Sequence, residues 1–410
     1  MYPEERRIFI LNYLDENGFG YVNFFSDYLL VSRELIRRDL NLLAKQGLVL
    51  RSYGGASIIR KNLQKELIST EQGNFEELLH SIYHATSENN LKTKGKLMIN
   101  KGKVCVLGSF NVDIVAKVER FPRGGESILA KSSTIGPGGK GTNQATAANK
   151  AGAQVHFVGK VGKDQFSQLA HDYLTSTKIH SFSLYKSENE PTGSAIIYVS
   201  QENGENIIAI YPGANTTISS TEVQYMIPEL STSDVLLVQL ENNFNATKAI
   251  IDIAHKMGKI VILNPAPFSH EVISCLHNVD VITPNETEAS LLSGVEIINM
   301  DSAKEAAQKI ANLGVRKVII TMGSKGALLL DNKQFYSIPA FPSVVIDTTG
   351  AGDAFNGALA ASLAAGNPLK QAAMWASAFA SLAVELEGAS NMPAYDQVKR
   401  RFQNHHLNEK

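Results

Sequence analysis

Cysteine is scarce: Cys105 and Cys275 are the only two in 410 residues, and both sit in apolar runs, VCVLGSF and VISCL. That excludes a disulfide-stapled extracellular scaffold and reads as two buried reduced thiols in a reducing compartment, the cytoplasm. Long apolar runs are missing as well. None approaches the roughly 20 residues needed to span a bilayer, and the start, MYPEERRIFILNYL, mixes both charge signs without a cleavage-site pattern. No membrane partner is expected. An excess of one charge sign is also absent, since 39 Lys and Arg stand against 40 Asp and Glu for a formal charge of -1. Any nucleic-acid binding must therefore be local. Repeats and low-complexity tracts do not occur. What is present is 44% apolar and 19% charged residues, a globular composition, over a length that favours two domains.

Residues 1–57 read as three short helices and a hairpin, starting with Pro3 in a first helical turn and stopping at Gly18. Ser32 is the expected N-cap of a helix whose buried stripe is Ile36, Leu40 and Leu43, while Arg33, Arg37 and Asn41 share another face. Gly47 ends it. Leu48-Val49-Leu50 then runs through Arg51 into Gly54-Gly55, the shape of a wing.

Residues 58–102 are polar and Lys-rich at their end, apart from a short helical pattern near Phe75 to Ala85, and read as a linker. From 103 to 402, apolar strands (VCVLGSF, VHFVGKV, VLLVQL, IVILNPAP, VDVITPN, KVIIT) alternate with helices near 141–152, 244–257, 302–313, 351–365 and 368–386. This alternation predicts a doubly wound, mostly parallel α/β sheet. The strands around 114–135 and 193–211, the latter pair joined by the turn Gln201-Glu202-Asn203-Gly204, predict a small antiparallel β lid beside it.

Four segments place polar and glycine residues where strands of such a sheet end, which is where these folds bind ligands. In GSFNVD, Asn111 and Asp113 stand two apart and face one side of an extended chain, suited to adjacent hydroxyls of a polyol; both residue types also form turns. GPGGKGTN, residues 136–143, fits neither the dinucleotide fingerprint, because VHFVGKVG offers Lys160 where an acid belongs, nor the Walker loop, because Gly141 follows Lys140. It is either a bare backbone for close ligand approach, with Lys140 and Asn143 as donors, or a simple helix entry. In TPNETE, Asn285 and Glu288 share the first turn of a helix, where Glu288 compensates the dipole or acts through water on phosphate-bound Mg²⁺. In DTTGAGD, the N–H groups of Gly350, Ala351 and Gly352 at a helix start make an anion pocket. Asp353 at its edge suits a base that takes a hydroxyl proton during phosphoryl transfer, with dipole compensation as its bland alternative.

GSFNVD, GPGGKGTNQA, NPAP, TPNETEA and DTTGAGDAFNGAL, in this order, resemble the ribokinase (PfkB) family of carbohydrate kinases from Lys103 to about Phe402. The resemblance implies Asp353 as catalytic base and Gly350 to Gly352 as anion hole. It implies a sugar set of Asn111, Asp113, Gly139, Lys140, Gly141, Asn143 and Glu241, with Asp353 itself. Nucleotide contacts fall on Asn285, the loop Thr321-Met322-Gly323-Ser324-Lys325-Gly326, Gly352 and Ser377, and the Mg²⁺ and phosphate motif on Asn285 and Glu288. A monovalent-cation site for K⁺ falls on Asp347, Thr349, Ala383, Leu386 and Gly388. The segment Gly388 to Pro393 is one residue shorter than the family's form, so its last ligand, Ser390 or Asn391, stays open. By this resemblance the chain phosphorylates D-ribose at its 5-hydroxyl with ATP and forms a homodimer through the lid; deoxyribose, fructose and nucleosides are the alternative substrates.

The stretch VSRELIRRDLNLLAKQG and LVLRSYGGA resembles the DeoR type of bacterial repressor, with Tyr53 where His is common. It implies DNA contacts from Ser32, Arg33, Arg37, Arg38 and Arg51, Arg38 having a bland alternative as the i, i+4 partner of Glu34. From Ser32 to Arg60, six bases face two acids, a local surplus of four. A regulator of pentose-use genes is the implied role. The alternatives are a sugar sensor with an inactive kinase fold, or a winged helix that docks protein.

Overall fold

The computed structural model describes residues 6–58, apart from positions 8, 12, 15–18, 30, 47, 53 and 54, and residues 102–408, apart from 178, 203 and 204. Pro3, Gly18, Gly47, Gly54, Asn203, Gly204 and nearly all of the expected linker, with its helical pattern near Phe75, lie outside the described residues. The chain divides into two units, Met1–Met98 and Ile99–Lys410.

In the first unit, strand β1 (Phe19–Tyr21) leads into helix α1 (Val22–Leu29), helix α2 (Arg33–Lys45) and strands β2 (Val49–Ser52) and β3 (Gly55–Ile58). The strands form an antiparallel sheet in the order β1-β3-β2, so the wing hairpin gains a third strand that the sequence reading did not contain. Ser32 caps α2 as expected, its side chain accepting from Leu35 N at 3.3 Å. Ile36, Leu40 and Leu43 are buried with Ile10, Leu14, Val22 and Phe25, while Arg33, Arg37, Arg38 and Asn41 are exposed. Asp39 is buried too, because Arg6 Nε binds it at 2.5 Å and Arg7 adds a second contact. Glu34 pairs with Arg37 at 3.5 Å rather than with Arg38, a correction to the i, i+4 expectation. Both spacings share a helix face, and the i+3 side chain is the one that reaches. For Arg51, the backbone places it in β2 opposite Ala56.

The second unit holds a nine-stranded sheet. Its strands are β4 (Lys103–Leu107), β7 (Gln154–Val161), β8 (Ser181–Lys186), β11 (Val235–Val238), β12 (Ile260–Leu263), β13 (Val281–Ile282), β14 (Lys317–Thr321), β15 (Ala327–Asp331) and β16 (Gln334–Ile338). The order is β16-β15-β14-β13-β12-β11-β4-β7-β8, parallel from β8 to β14, with β15 and β16 antiparallel at one edge. Helices α3 (Lys140–Lys150), α4 (Phe166–Ser176), α5 (Phe244–Lys256), α6 (Glu286–Ser293), α7 (Met300–Asn312), α8 (Ala351–Ala364), α9 (Leu369–Ala383) and α10 (Tyr395–Asn408) complete it. The parallel strands read as unbroken apolar runs because both faces are covered: one core packs α3, α8 and α9 against the sheet, the other α5 and α7.

The lid contains β5 (Asn111–Val118), β6 (Ser132–Gly138), β9 (Gly193–Ser200) and β10 (Asn206–Tyr211) in the order β10-β9-β5-β6. It is mixed, not antiparallel: β5 and β9 run parallel from Asn111 opposite Gly193. β5 and β9 each leave the main sheet's ligand edge and head outward, so hairpin pairing joins only their outer neighbours β6 and β10. The lid strands also extend inward to Asn111 and Gly138, so lid and sugar motifs are one continuous sheet. Among the described residues no helix is long and apolar enough to cross a membrane.

Candidate active site

Two glycine contacts bring the motifs together. A Cβ at Gly141 would lie 2.4 Å from Gly108, and one at Gly357 would lie 2.4 Å from Gln144 O and 2.5 Å from Ala147 Cβ. The start of α3 therefore sits directly on the end of β4, and α3 crosses α8 at backbone contact. This crossing sets Asn143 and Gln144 against Asp353. Asn143 Nδ2 donates to Asp353 Oδ2 at 3.1 Å and Gln144 Nε2 to Asp353 Oδ1 at 2.9 Å.

Residues from the first two motifs and Glu241 lie close together in the fold. Asn111 and Asp113 lie on the same side of β5. Asn111 Oδ1 accepts from Asn215 Nδ2 at 2.8 Å, and Asn215 also accepts from Phe110 N at 3.1 Å, so the Asn111 amide is held from behind. Gly139 has φ of 93°, and a Cβ there would meet Asn111 N at 2.8 Å, so only glycine lets the loop pass this close. Lys140 N donates to Glu241 Oε2 at 3.0 Å, and the Ser109 hydroxyl donates to the same carboxylate.

Four acids and one lysine share the cleft. Burial, then the charges of Glu241 and Asp353, pushes the Asp113 carboxyl up to about 7. Burial likewise raises Glu241 against the opposing pull of Lys140 and Ser109. For Lys140, burial acts to lower the ammonium's pKa, but Asp353, Glu241 and Glu288 together hold it above its ordinary value. Charges this crowded are the mark of a site that meets a polar or charged ligand. Asn143 Oδ1 is buried without a partner, an acceptor aimed where a hydroxyl would satisfy it.

Gly350 caps α8 in the left-handed region, φ 80°, and a Cβ on it would be 2.7 Å from Ala389 Cα. The N–H of Ala351 turns back onto Thr348 O at 3.2 Å, so of the three expected anion donors Gly350, Ala351 and Gly352 it is Ala351 that already has a partner. Asp353, 6% exposed, follows Gly352 along the helix.

Asn285 and Glu288 form a reciprocal capping box on α6: Glu288 N donates to Asn285 Oδ1 at 2.8 Å and Asn285 N to Glu288 Oε2 at 2.9 Å. Burial raises the Glu288 pKa, with its bond from Asn285 and the charge of Lys140 opposing and Asp353 adding to it, so this acid belongs to the same cleft as Asp353. Asn285 bridges to Thr321, which brings it beside the loop Thr321 to Gly326. In that loop Ser324 and Lys325 are exposed, Lys325 reaching Glu286 at 3.2 Å, while the Met322 side chain lies in the core and can offer a ligand only its backbone. Ser377 Oγ is committed to Pro339 O at 2.6 Å, behind Gly326.

Asp347 Oδ1 accepts from Thr349 N and Oδ2 from Gly388 N, both at 2.9 Å, and Asp347 N donates to Val384 O. Burial works against the Asp347 carboxylate, and its bonds to Thr349 and Gly388 hold its pKa below the usual value. Ala383 O accepts from Leu386 N at 3.0 Å, so Asp347, Thr349, Ala383, Leu386 and Gly388 lie around the end of α9 and the segment that follows it. Among the described residues no group of three His, Cys, Asp or Glu side chains is placed to hold a metal, so a divalent ion at Glu288 would keep mostly water and phosphate ligands.

The residues that sequence reasoning left without a role are Asn215, Gln239, Asn264 and Gln144. Gln144 and Asn264 stand inside the quoted motifs GPGGKGTNQA and NPAP, and polar residues beside an Ala-rich helix and an apolar strand were the available signal.

A sheet with ligand groups at its carboxyl edge, a lid continuous with them, and a buried carboxylate beside a glycine-capped helix start define an ATP-dependent sugar kinase of the ribokinase-like fold. The pfkB family carbohydrate kinase model matches residues 101–395, and a DeoR-like helix-turn-helix domain matches residues 6–62. The chain belongs to the pfkB family of carbohydrate kinases and carries an N-terminal DeoR-like helix-turn-helix domain. A ribokinase of Haemophilus influenzae is 36% identical over 303 residues, 73% of this chain and 98% of that protein. A deoxyribokinase of Salmonella typhi is 34% identical over 296 residues, covering 72% of this chain and 96% of that protein. A solved structure of Arabidopsis thaliana ribokinase complexed with ribose and ATP aligns with a TM-score of 0.65 at 31% identity, over 74% of this chain and 99% of that one.

Proposed function

We propose that the chain phosphorylates D-ribose at its 5-hydroxyl to give D-ribose 5-phosphate, and that its N-terminal domain binds DNA to regulate pentose-use genes. The observation that carries the catalytic half is Asp353, buried between two amide donors next to the helix start. In this reading Asn111, Asp113, Gly139, Lys140, Gly141, Asn143 and Glu241 hold the sugar, and the orphan Asn143 oxygen accepts one of its hydroxyls. Asp353 takes the proton of the 5-hydroxyl as its oxygen bonds to the γ-phosphorus and the bond to the bridging oxygen of ADP breaks. The N–H groups of Gly350 and Gly352 hold the charge that builds on the transferred group, and Lys140 balances the cleft's carboxylates. Asn285, the loop Thr321 to Gly326 and the pocket wall near Ser377 hold the nucleotide. Mg²⁺ on the phosphates, steered through water by Glu288, would neutralise developing charge. K⁺ held by Asp347, Thr349, Ala383, Leu386 and Gly388 would add positive charge behind the anion pocket.

Ribose is favoured over deoxyribose because a pocket that hydrogen-bonds a hydroxyl disfavours an analogue without it. Sugar-dependent ADP formation across ribose, deoxyribose, fructose and ribonucleosides tests this. Ribose should lead, and Asp113→Asn should shrink the ribose-to-deoxyribose ratio about tenfold, the worth of one such bond. Because Asp113 titrates near 7, the ionised acceptor is lost as pH falls through that value, so the ribose KM should rise below it. Equal turnover of both sugars would reject the ribose assignment. Binding of ribose without turnover, given Mg²⁺, K⁺ and ATP, would favour a sensor instead.

The exposed apolar face of the lid, with Ile135 at 60% exposure and Ile207 at 51%, supports a homodimer formed by two lids. ATP use and two buried free thiols support a cytoplasmic location. For the DNA-binding half, the exposed Arg33, Arg37 and Arg38 on the capped helix α2 carry the reading, with Ser32 and Arg51 at its margins. Arg37→Ala should weaken binding to DNA upstream of the protein's own gene about tenfold and flatten the salt slope by about one. Affinity and slope equal to wild type would leave the domain as a protein-docking module.

A further inference from the structure

A chain of amides runs under Asp353. Gln239 Nε2 donates to Gln144 Oε1 at 2.7 Å, and Gln144 Nε2 donates to Asn264 Oδ1 at 3.0 Å and to Asp353 Oδ1 at 2.9 Å. Asn264 Nδ2 in turn donates to Thr283 O at 3.2 Å. Gln144 is fully buried and Gln239 is 1% exposed, so neither amide has water as an alternative partner. Each amide's direction is set by the next. A carboxylate only accepts, so Gln144 must turn its NH₂ to Asp353, which leaves its oxygen to Gln239, and Gln239 must donate. The far oxygen of Gln239 is then buried without a partner, an arrangement that costs stability. Flipping Gln239 would satisfy nothing and would set two oxygens against each other.

We infer that Gln144, held by Gln239, is a positioning residue: it fixes the rotamer of Asp353. The inference rests on the reading of Asp353 as base. Asn143 holds the other carboxylate oxygen at 3.1 Å, so the two amides together leave little rotation about the carboxylate. The charged groups facing Asp353 are Lys140 on α3, Asp113 on β5, Glu241 after β11 and Glu288 on α6, and none of these is altered by changing Gln144.

The test is Gln144→Met in the full-length protein, with kcat and the KM values for ribose and ATP measured beside Asp353→Asn. With one of its two donors gone the carboxylate is freer to rotate out of line with the hydroxyl, which slows the chemical step and leaves the contacts that bind sugar and nucleotide in place. We expect kcat to fall about 10- to 100-fold at neutral pH, with both KM values within threefold of wild type. Should Gln144→Met not fold, Gln239→Met takes its place: it leaves Gln144 and Asp353 intact but removes the donor that anchors the Gln144 oxygen, so kcat should fall by a smaller factor with both KM values again unmoved. An inactive Asp353→Asn beside a Gln144→Met of wild-type kcat, or one whose loss lies in KM, overturns the positioning role alone. Persistent turnover in Asp353→Asn would instead remove the base reading on which it stands.

Discussion

Asp353→Asn is expected to lower sugar-dependent ADP formation by about a thousandfold or more while leaving ATP binding in place. A general base contributes about 10² to 10⁴ in rate, and Asp353 is the buried carboxylate in the first turn of the helix that Gly350 caps. The substitution is not neutral to its surroundings. Asp353 accepts from both Asn143 and Gln144; an asparagine has one oxygen for two donors, and its own NH₂ would oppose the second. The remaining donor would be buried and unsatisfied, at a cost of about 1 to 3 kcal/mol, so the melting temperature should fall by a few degrees. Rates by ADP release, ATP affinity by calorimetry and thermal unfolding separate the effects. Turnover within tenfold of wild type would refute the assignment of the base.

Gly350→Ala should cost about a hundredfold in kcat. Gly350 is left-handed, where an alanine is strained, and its new Cβ would come within 2.7 Å of Ala389 Cα and 2.7 Å of Ala389 O. Relief requires either the start of α8 or the segment Gly388 to Asn391 to move, and both hold parts of the site: the anion donors on one side and Gly388 on Asp347 on the other. Removing one preorganised donor from a developing oxyanion typically costs about 10² to 10³. Gly352→Ala is the contrast, since a Cβ there meets nothing within 4 Å. It should fold like wild type, and any loss of rate it shows reports the space that the transferred group itself needs. A Gly350→Ala protein with wild-type kcat would mean that the N–H groups at this helix start do not stabilise the transferred charge.

Local pattern made much of this legible before the structure. The α2 stripe of Ile36, Leu40 and Leu43 is buried as its spacing implies, and Ser32 caps the helix because a short hydroxyl side chain reaches the third amide ahead of it. Helices α5, α7, α8 and α9 fall within a few residues of their expected bounds, since apolar periodicity and glycine or proline punctuation are carried by neighbouring residues. The lid was read as antiparallel because its hairpin turn is a local signal; the parallel pairing of β5 with β9 joins residues about 80 apart and has none. Asp39 escaped notice for the same reason, as its partner Arg6 lies 33 residues away.

By itself the sequence determined the two-part organisation, the alternating strands and helices, and the residue types at each ligand-facing strand end, because these follow from short-range sterics, periodicity and the chemistry of single side chains. Only the tertiary structure decided which of those side chains touch. Gly357 against Ala147 brought α3 onto α8 and so set Asn143 and Gln144 on Asp353, while separate long-range contacts put Asn215 behind Asn111 and Gly388 on Asp347. Partner choice in a buried polar network depends on which groups are left without water once the helices pack, and that is a property of the whole fold rather than of any segment.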